Sequence, residues 1–237
     1  MNEQPGSRDD RHDRPRRGRQ AEAARNDIRV LDAAREVFAR YGAAATVAAV
    51  AEQAGVGMGS LYRRYGSKDD LLRCLCLTSM RQSIETAETA LAADDAWLGL
   101  ADYVRTCVAQ GIGALAPLAG TIETTPEMWE TSARGRQMLE ELVARARRDG
   151  GLRADVTALD VVWLIELFGR SGASREDEGV RSRLLAIALD GLRAAPGTEP
   201  LPGPPPDVAD YVRRWSTPTA EIPSDSGQPR RDGSRRG

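Results

Sequence analysis

The stretch that decides the fold is 46-TVAAVAEQAGVGMGSLYRRYGSKDDL-71. Its apolar spacing predicts two short helices, 47–54 and 58–65, separated by Gly55-Val56-Gly57. Thr46 is an N-cap for the first helix, and the glycines supply the backbone freedom that a sharp turn needs. Two helices of this length joined by a glycine-containing turn have the dimensions of a helix-turn-helix, whose second helix enters the major groove of DNA.

The second helix is predicted to bury Leu61 and Tyr65. Its remaining face carries the side chains that can meet a groove, namely Met58, Ser60, Tyr62, Arg63 and Arg64. Lys68 follows at the first turn of the next helix, where a cation and free backbone N–H groups suit a phosphate. A turn between two short helices also occurs in proteins that bind no DNA, so the spacing alone leaves the function open.

Residues 25–72, and above all the quoted stretch, resemble the N-terminal domain of the TetR family of transcriptional regulators. The resemblance implies that Thr46 caps its helix beside a phosphate and that Ser60, Tyr62 and Lys68 contact phosphates. It implies also that Met58 and Arg64 lie where base edges or flanking phosphates are reached. Beyond residue 72 it extends only to architecture, a long connecting helix followed by a helical bundle.

The charge distribution is uneven along the chain. Residues 14–68 carry a net charge of +6, whereas residues 69–237 sum to −6. A basic segment on an otherwise acidic chain suits a module that binds a polyanion. The alternative interpretation is an ordinary solvated surface rich in arginine.

The pattern elsewhere is helical, because no window alternates with a period of two. We predict an all-α chain: an N-terminal three-helix DNA-binding domain with a helix-turn-helix, joined by a long helix to a C-terminal helical bundle for ligand binding and dimerisation. The predicted helices are 26–41, 47–54, 58–65, 67–92, 95–116, 126–149, 157–169 and 175–194. The predicted domains are a disordered Arg-rich arm (1–24), the DNA-binding domain (25–72), the regulatory and dimerisation domain (73–195) and a disordered Pro-rich tail (196–237), in which only 207–215 is amphipathic.

Large aromatic residues in the bundle are candidates for a ligand cavity, which the family resemblance implies. They are Trp97, Tyr103, Trp129 and Trp163. The alternative is that they are ordinary core residues, in which case their truncation would lower stability without a ligand-specific effect.

The last two predicted helices carry apolar faces too extensive to be left in water. Val180, Leu184 and Ile187 form one such face, and the resemblance implies a dimer interface there. Glu166 lies in an apolar run, where an ionised carboxylate needs a partner. We expect an arginine across the dimer interface, with a polar or cationic ligand as the alternative.

Several classes of function are excluded by composition. The one histidine, His12, and three cysteines without a CxxC pattern provide neither a His-based catalytic pair nor a metal site. We therefore predict that the chain is not an enzyme and needs no cofactor. The N-terminus lacks the apolar core of a signal peptide, and no stretch has the length of a membrane span, so we expect a cytoplasmic, nucleoid-associated protein without a membrane partner.

These observations predict a homodimeric repressor that binds double-stranded DNA at a near-palindromic operator and is released by an unknown small-molecule effector. One alternative is an all-α enzyme or ligand carrier whose N-terminal helices are structural. Another is a DNA-binding activator or architectural protein without a ligand.

Overall fold

A computed structural model describes the backbone of residues 14–169 and 175–216, with side chains over 25–169 and 178–216. Within these ranges there are α-helices and short 3₁₀ helices but no β-strand, as the all-α prediction requires. In chain order the α-helices are α1 (Arg14–Tyr41), α2 (Val47–Ala54), α3 (Met58–Tyr65), α4 (Lys68–Leu91), α5 (Ala96–Ala109), α6 (Pro126–Arg148), α7 (Ala158–Gly169), α8 (Arg175–Gly191) and α9 (Val208–Ser216). The 3₁₀ helices are Gly42–Ala44 and Ile112–Leu118, and we call the latter the 3₁₀ segment.

The predicted helices match the observed ones closely except at two places. Helix α1 begins at Arg14 rather than at 26, so the second half of the predicted disordered arm is helical, while residues 1–13 lie outside the described range. The predicted helix 95–116 is wrong beyond Ala109. The chain turns at Gly111, whose φ of 66° is left-handed, and continues as the 3₁₀ segment with Pro117 inside it.

Helices α1 to α4 share one buried cluster at the N-terminal end of the molecule. Phe38 of α1, Val50 of α2, Leu61 of α3 and Leu71 of α4 are all buried there. The same cluster includes residues that come much later in the sequence, namely Leu115, Leu118, Ile122 and Met128. The 3₁₀ segment therefore belongs to the N-terminal core as much as to the bundle.

Helices α4 to α7 form the bundle, with the inner face of α8 packed on it. Leu100, Val104, Leu142 and Val161 are fully buried in this second cluster, which Leu189 of α8 also joins. Thr157 caps the start of α7, and its hydroxyl donates to the Asp160 carboxylate at 2.7 Å. This reciprocal cap follows the predicted pattern of a hydroxyl residue and an acid three residues later.

The chain after α8 does not leave the bundle, in contrast to the predicted disordered tail. The backbone N–H of Leu201 donates to Asp155 at 2.8 Å, and Arg153 donates to the carbonyl of Glu199 at 2.6 Å. Residues 208–216 then form α9. The part of the tail over 217–237 lies outside the described residues.

The 3₁₀ segment and α7 approach each other so closely that only glycine fits between them. A Cβ at Gly113 would lie 2.3 Å from the carbonyl oxygen of Ile165 and 2.6 Å from the Cα of Glu166. Gly169, one turn further along α7, lies against the backbone of Gly113 as well. No backbone-to-backbone contact of this kind can admit a methyl group without displacing one of the two elements.

We predict that Gly113→Ala lowers the free energy of unfolding by about 1–3 kcal/mol, because the methyl group must force the 3₁₀ segment away from α7. Urea denaturation followed by circular dichroism measures the change. Gly179→Ala is the matched control, because a Cβ there meets nothing within 4 Å. The control should gain about 0.5–1 kcal/mol, since alanine is the better helix former. Equal stability of the two variants would contradict the close contact at Gly113.

Candidate functional site

The turn between α2 and α3 is built by local backbone interactions. The Thr46 side chain accepts a hydrogen bond from the backbone N–H of Ala49 at 3.2 Å, which caps α2 as predicted. Gly55 ends the helix with a left-handed φ of 65°. The N–H of Val56 then donates to the carbonyl of Ala51 at 3.0 Å, and α3 begins two residues later. The glycine is required here because other residues rarely adopt this φ.

The two helices bury one face and expose the other. Val50, Ala51 and Ala54 of α2 and Leu61 of α3 are buried against α1. The predicted DNA-contacting residues of α3 are all exposed: Met58, Ser60, Tyr62, Arg63 and Arg64. The structure therefore presents these side chains together on the solvent side of α3.

The two arginines of α3 differ in their surroundings. Arg64 forms an ion pair with Asp27 of α1, with 2.5 Å between the guanidinium and the carboxylate. Arg63 is exposed and makes no ion pair with any residue that the structure describes. The same Asp27 affects a neighbour: burial, reinforced by the Asp27 charge, raises the pKa of Tyr65 to about 12. Arg64 thus links α3 to α1, while Arg63 has no ion-pair partner among the described residues.

Lys68 is anchored rather than free. Its ammonium donates to the carbonyl of Ala43 at 2.8 Å and lies 5.6 Å from the centroid of the Phe38 ring. Ser67 precedes it as the cap of α4 and accepts a hydrogen bond from the N–H of Asp70 at 3.0 Å. An ammonium has three donors, so the contact with Ala43 leaves two for a phosphate.

A cavity of about 150 Å³ lies inside the bundle, between α4, α5, α6, α7, the 3₁₀ segment and α9. Of the four aromatic residues predicted to form it, Tyr103 is at the cavity, where its hydroxyl lies 2.8 Å from that of Ser83. Trp97 is instead buried in the core of the bundle, and the guanidinium of Arg193 lies 5.4 Å from the centroid of its ring. Trp129 is half-buried and Trp163 is partly exposed, and neither lines the cavity.

Other residues that line the cavity were not singled out in the sequence. They include Ser79, Arg136, Leu139, Tyr211 and Trp215. The predicted amphipathic stretch 207–215 was the one signal for the last two, because Tyr211 and Trp215 are four residues apart on one face of it. Nothing in the pattern marked Ser79, which sits in the middle of a long helix.

Glu166 has its arginine partner in the same chain. Its carboxylate lies 2.6 Å from the guanidinium of Arg214 on α9, and the residue is only 5% exposed. The expected pairing across a dimer interface is therefore replaced by an internal pair. A buried carboxylate needs such a partner, and α9 supplies it.

The outer face of α8 is apolar and open to solvent. Val180, Leu184 and Ile187, predicted for the dimer interface, are all at least half exposed in the single chain. Leu185 and Leu189 on the opposite face are buried in the bundle. Leu167 of α7 is exposed as well, so both C-terminal helices of the bundle carry uncovered apolar side chains.

Among residues 14–169 and 175–216, no helix is both long and apolar enough to cross a membrane. The same residues contain no cluster of histidine, cysteine, aspartate and glutamate that would hold a metal ion.

Comparison with protein families gives two matches. Residues 30–75 match the model of bacterial regulatory proteins of the tetR family. Residues 95–194 match the model of the C-terminal domain of SbtR-like transcriptional regulators. The first match covers the helix-turn-helix, and the second covers α5 to α8 but ends before α9.

Individual relatives agree with these matches. The HTH-type transcriptional repressor AcnR of Corynebacterium jeikeium is 28% identical over 184 residues, which cover 73% of this chain and 92% of the relative. A TetR transcription regulatory protein of Mycobacterium vanbaalenii is 29% identical, with a TM-score of 0.52 over 74% of this chain and 99% of that structure. The TetR regulator SCO0520 of Streptomyces coelicolor shares the fold at 22% identity, with a TM-score of 0.53 over 71% and 99% of the two chains.

Proposed function

Because this chain belongs to the TetR family of bacterial transcriptional regulators, we propose that it is a homodimeric repressor that a small molecule releases from its operator. The observation that carries the proposal is the exposed polar face of α3. The Thr46 cap and the turn at Gly55 form the helix-turn-helix that positions this helix. The relative AcnR, named a repressor, supports the sign of regulation. The protein would act on double-stranded DNA in the cytoplasm as a regulator and not as an enzyme.

The DNA contacts divide into two kinds. We propose that Ser60, Tyr62, Lys68 and the N-terminal cap at Thr46 contact phosphates, and that Met58 and Arg64 reach base edges or flanking phosphates. Gly57 and Gly59 offer no side chain on this face. Few base-edge hydrogen bonds are available, so phosphate contacts and DNA shape would supply much of the affinity.

The dimer supplies the second recognition helix. We propose that the exposed apolar residues of α8, namely Val180, Leu184 and Ile187, pack against a second copy. A two-fold dimer presents two α3 helices to successive major grooves, which requires a near-palindromic operator.

The 3₁₀ segment borders both the cavity and the core of the DNA-binding domain. Ile112, Gly113, Leu115 and Ala116 line the cavity, and Leu115 also belongs to the N-terminal core that holds α1 to α4. We infer that a ligand in the cavity shifts this segment and with it the spacing of the two α3 helices. Operator affinity then falls by the difference in ligand binding free energy between the two arrangements.

The first prediction for this function concerns Lys68. Lys68→Ala should reduce the slope of log K against log salt concentration by about one unit, because one phosphate contact is lost. Fluorescence anisotropy on a labelled operator over a range of salt measures the slope. Arg134→Ala is the matched control, because Arg134 is an exposed arginine of α6 that pairs with Glu88 far from α3. An unchanged slope for the Lys68 variant would contradict the phosphate contact.

The second concerns release. The full-length protein should shift DNA from upstream of its own gene, and a panel of small metabolites should contain one that raises the dissociation constant about 5- to 150-fold. Linkage requires saturating operator DNA to weaken binding of that metabolite by the same factor. Operator binding that no ligand of the cavity alters would contradict an effector-controlled repressor and leave a regulator without a ligand.

The third concerns the dimer. Leu184→Arg should convert the dimer to monomer or aggregate in light scattering, because the interface would bury an unpaired charge. Leu98→Arg is the control: Leu98 is 52% exposed, against 50% for Leu184, and belongs to α5 rather than to the proposed interface on α8. A soluble, intact dimer of the Leu184 variant would place the interface elsewhere.

A further inference from the structure

The segment that follows α8 returns to the bundle and places α9 over the cavity. It is tied down on the way by Asp155, which accepts from the N–H of Leu201, and by Arg153, which donates to the carbonyl of Glu199. The Arg153 guanidinium and the Leu201 N–H hold the pKa of Asp155 well below its ordinary value. The Asp155 carboxylate is therefore ionised, and able to accept these hydrogen bonds, throughout the neutral range of pH.

One side chain anchors α9 itself. Arg214 lies 2.6 Å from the carboxylate of Glu166 and donates to the carbonyl of Ala116 at 3.1 Å. Its guanidinium also lies 4.7 Å from the centroid of a Trp163 ring. The partners belong to α7 and to the 3₁₀ segment, so a single arginine joins α9 to two elements of the bundle.

The inner face of α9 forms part of the cavity wall. Tyr211 and Trp215, one helical turn apart, line the cavity, whereas Arg213 pairs with Asp210 on the exposed side. Burial, reinforced by the nearby Glu166 carboxylate, raises the pKa of Tyr211 to about 12. The two aromatic side chains leave a space of about 150 Å³, so α9 borders the cavity without filling it.

We propose that α9 is the outer wall of the effector cavity, and that this cavity takes a small, neutral, mostly apolar molecule with one hydroxyl or carbonyl oxygen. The proposal rests on the proposed function in taking this cavity as the effector site. It goes beyond the family match, which ends at residue 194, because the wall belongs to the segment after it.

We infer the charge of the ligand from the ion pairs that the charged residues of the cavity already make. Glu166 is already neutralised by Arg214. Arg136 lies 3.8 Å from Glu140, and its side chain is 28% exposed, so water reaches it. Neither residue is a fully buried, unpaired charge, so a charged ligand would give up its hydration without neutralising one.

The oxygen of the ligand follows from Ser79. This residue is 4% exposed and lines the cavity, and its hydroxyl has no hydrogen-bond partner among the described residues. A buried hydroxyl without a partner is unfavourable, and a ligand hydroxyl or carbonyl would satisfy it. A cavity of this volume accommodates a single aromatic ring.

Three probes with the same ring test the ligand class: benzyl alcohol, toluene and benzoate. Ligand-observed NMR titration of the full-length protein, without DNA, gives their dissociation constants. Benzyl alcohol should bind about fivefold more tightly than toluene, which is the effect of one net hydrogen bond. Ser79→Ala should remove this difference and leave toluene unchanged. No binding of benzyl alcohol, or tighter binding of benzoate, would overturn the assignment of a neutral ligand.

The wall is tested by Arg214→Gln, with Arg213→Gln on the exposed side of the same helix as the matched control. If the first change leaves α9 docked for a tenth of the time, the dissociation constant of benzyl alcohol rises about tenfold. The control should bind as the wild type does. Unchanged or tighter binding by the Arg214 variant would overturn the role of α9 as a wall.

Two further measurements keep the test independent of a folding defect. The double variant Glu166→Gln/Arg214→Gln leaves no unpaired buried charge and should weaken benzyl alcohol binding as the single variant does. Hydrogen exchange should accelerate over 207–216 in both variants and stay slow in α5. Fast exchange over 207–216 in the wild type would overturn the proposal, whereas loss of operator binding alone would bear only on the proposed function.

Discussion

The arrangement of the molecule depends on the close approach of two backbones at Gly113. Because no side chain separates them, the 3₁₀ segment can lie against α7 and still extend Leu115 and Leu118 into the N-terminal core. The same segment offers the carbonyl of Ala116 to Arg214. One short stretch of chain therefore contacts the helices that hold α3, the cavity and α9. Close-packed elements of this kind move as units, so a displacement at one contact is passed to the others.

The helix-turn-helix could be predicted in detail because its determinants are local. Thr46, Gly55 and the period of the apolar residues act within a few positions of one another, and the structure confirms the helices that they predict. The end of α5 could not be predicted from the sequence in the same way. Gly111, Gly113 and Pro117 are visible in the sequence, but the decision to form a 3₁₀ segment depends on the backbone of α7 some fifty residues later.

The cavity shows why aromatic content alone is a weak guide to a binding site. Trp97 and Tyr103 occupy the same helix, yet the first packs in the core and the second reaches the cavity, because the two positions differ in which side of α5 they face. The partner of Glu166 was correctly expected to be an arginine. Its location could not be predicted, since 48 residues separate it from Glu166 and almost every cation in the chain is an arginine. Helix α9 was visible only as an amphipathic stretch without a known partner.

The position of Lys68 has a consequence for chemistry on this protein, since it is the one lysine of the chain. Reagents that acylate amines would find a single side chain to modify, and that side chain sits beside α3 with its ammonium on the carbonyl of Ala43. Acylation removes the positive charge and the hydrogen bonds that depend on it. A fluorophore attached there would report from the rim of the helix-turn-helix, and its rate of attachment would fall when another molecule covers that rim. Because lysine occurs once in the chain, Lys68 is the one side-chain amine that such reagents label, beside the α-amino group of the N-terminus, and no mutation of the surrounding surface is needed.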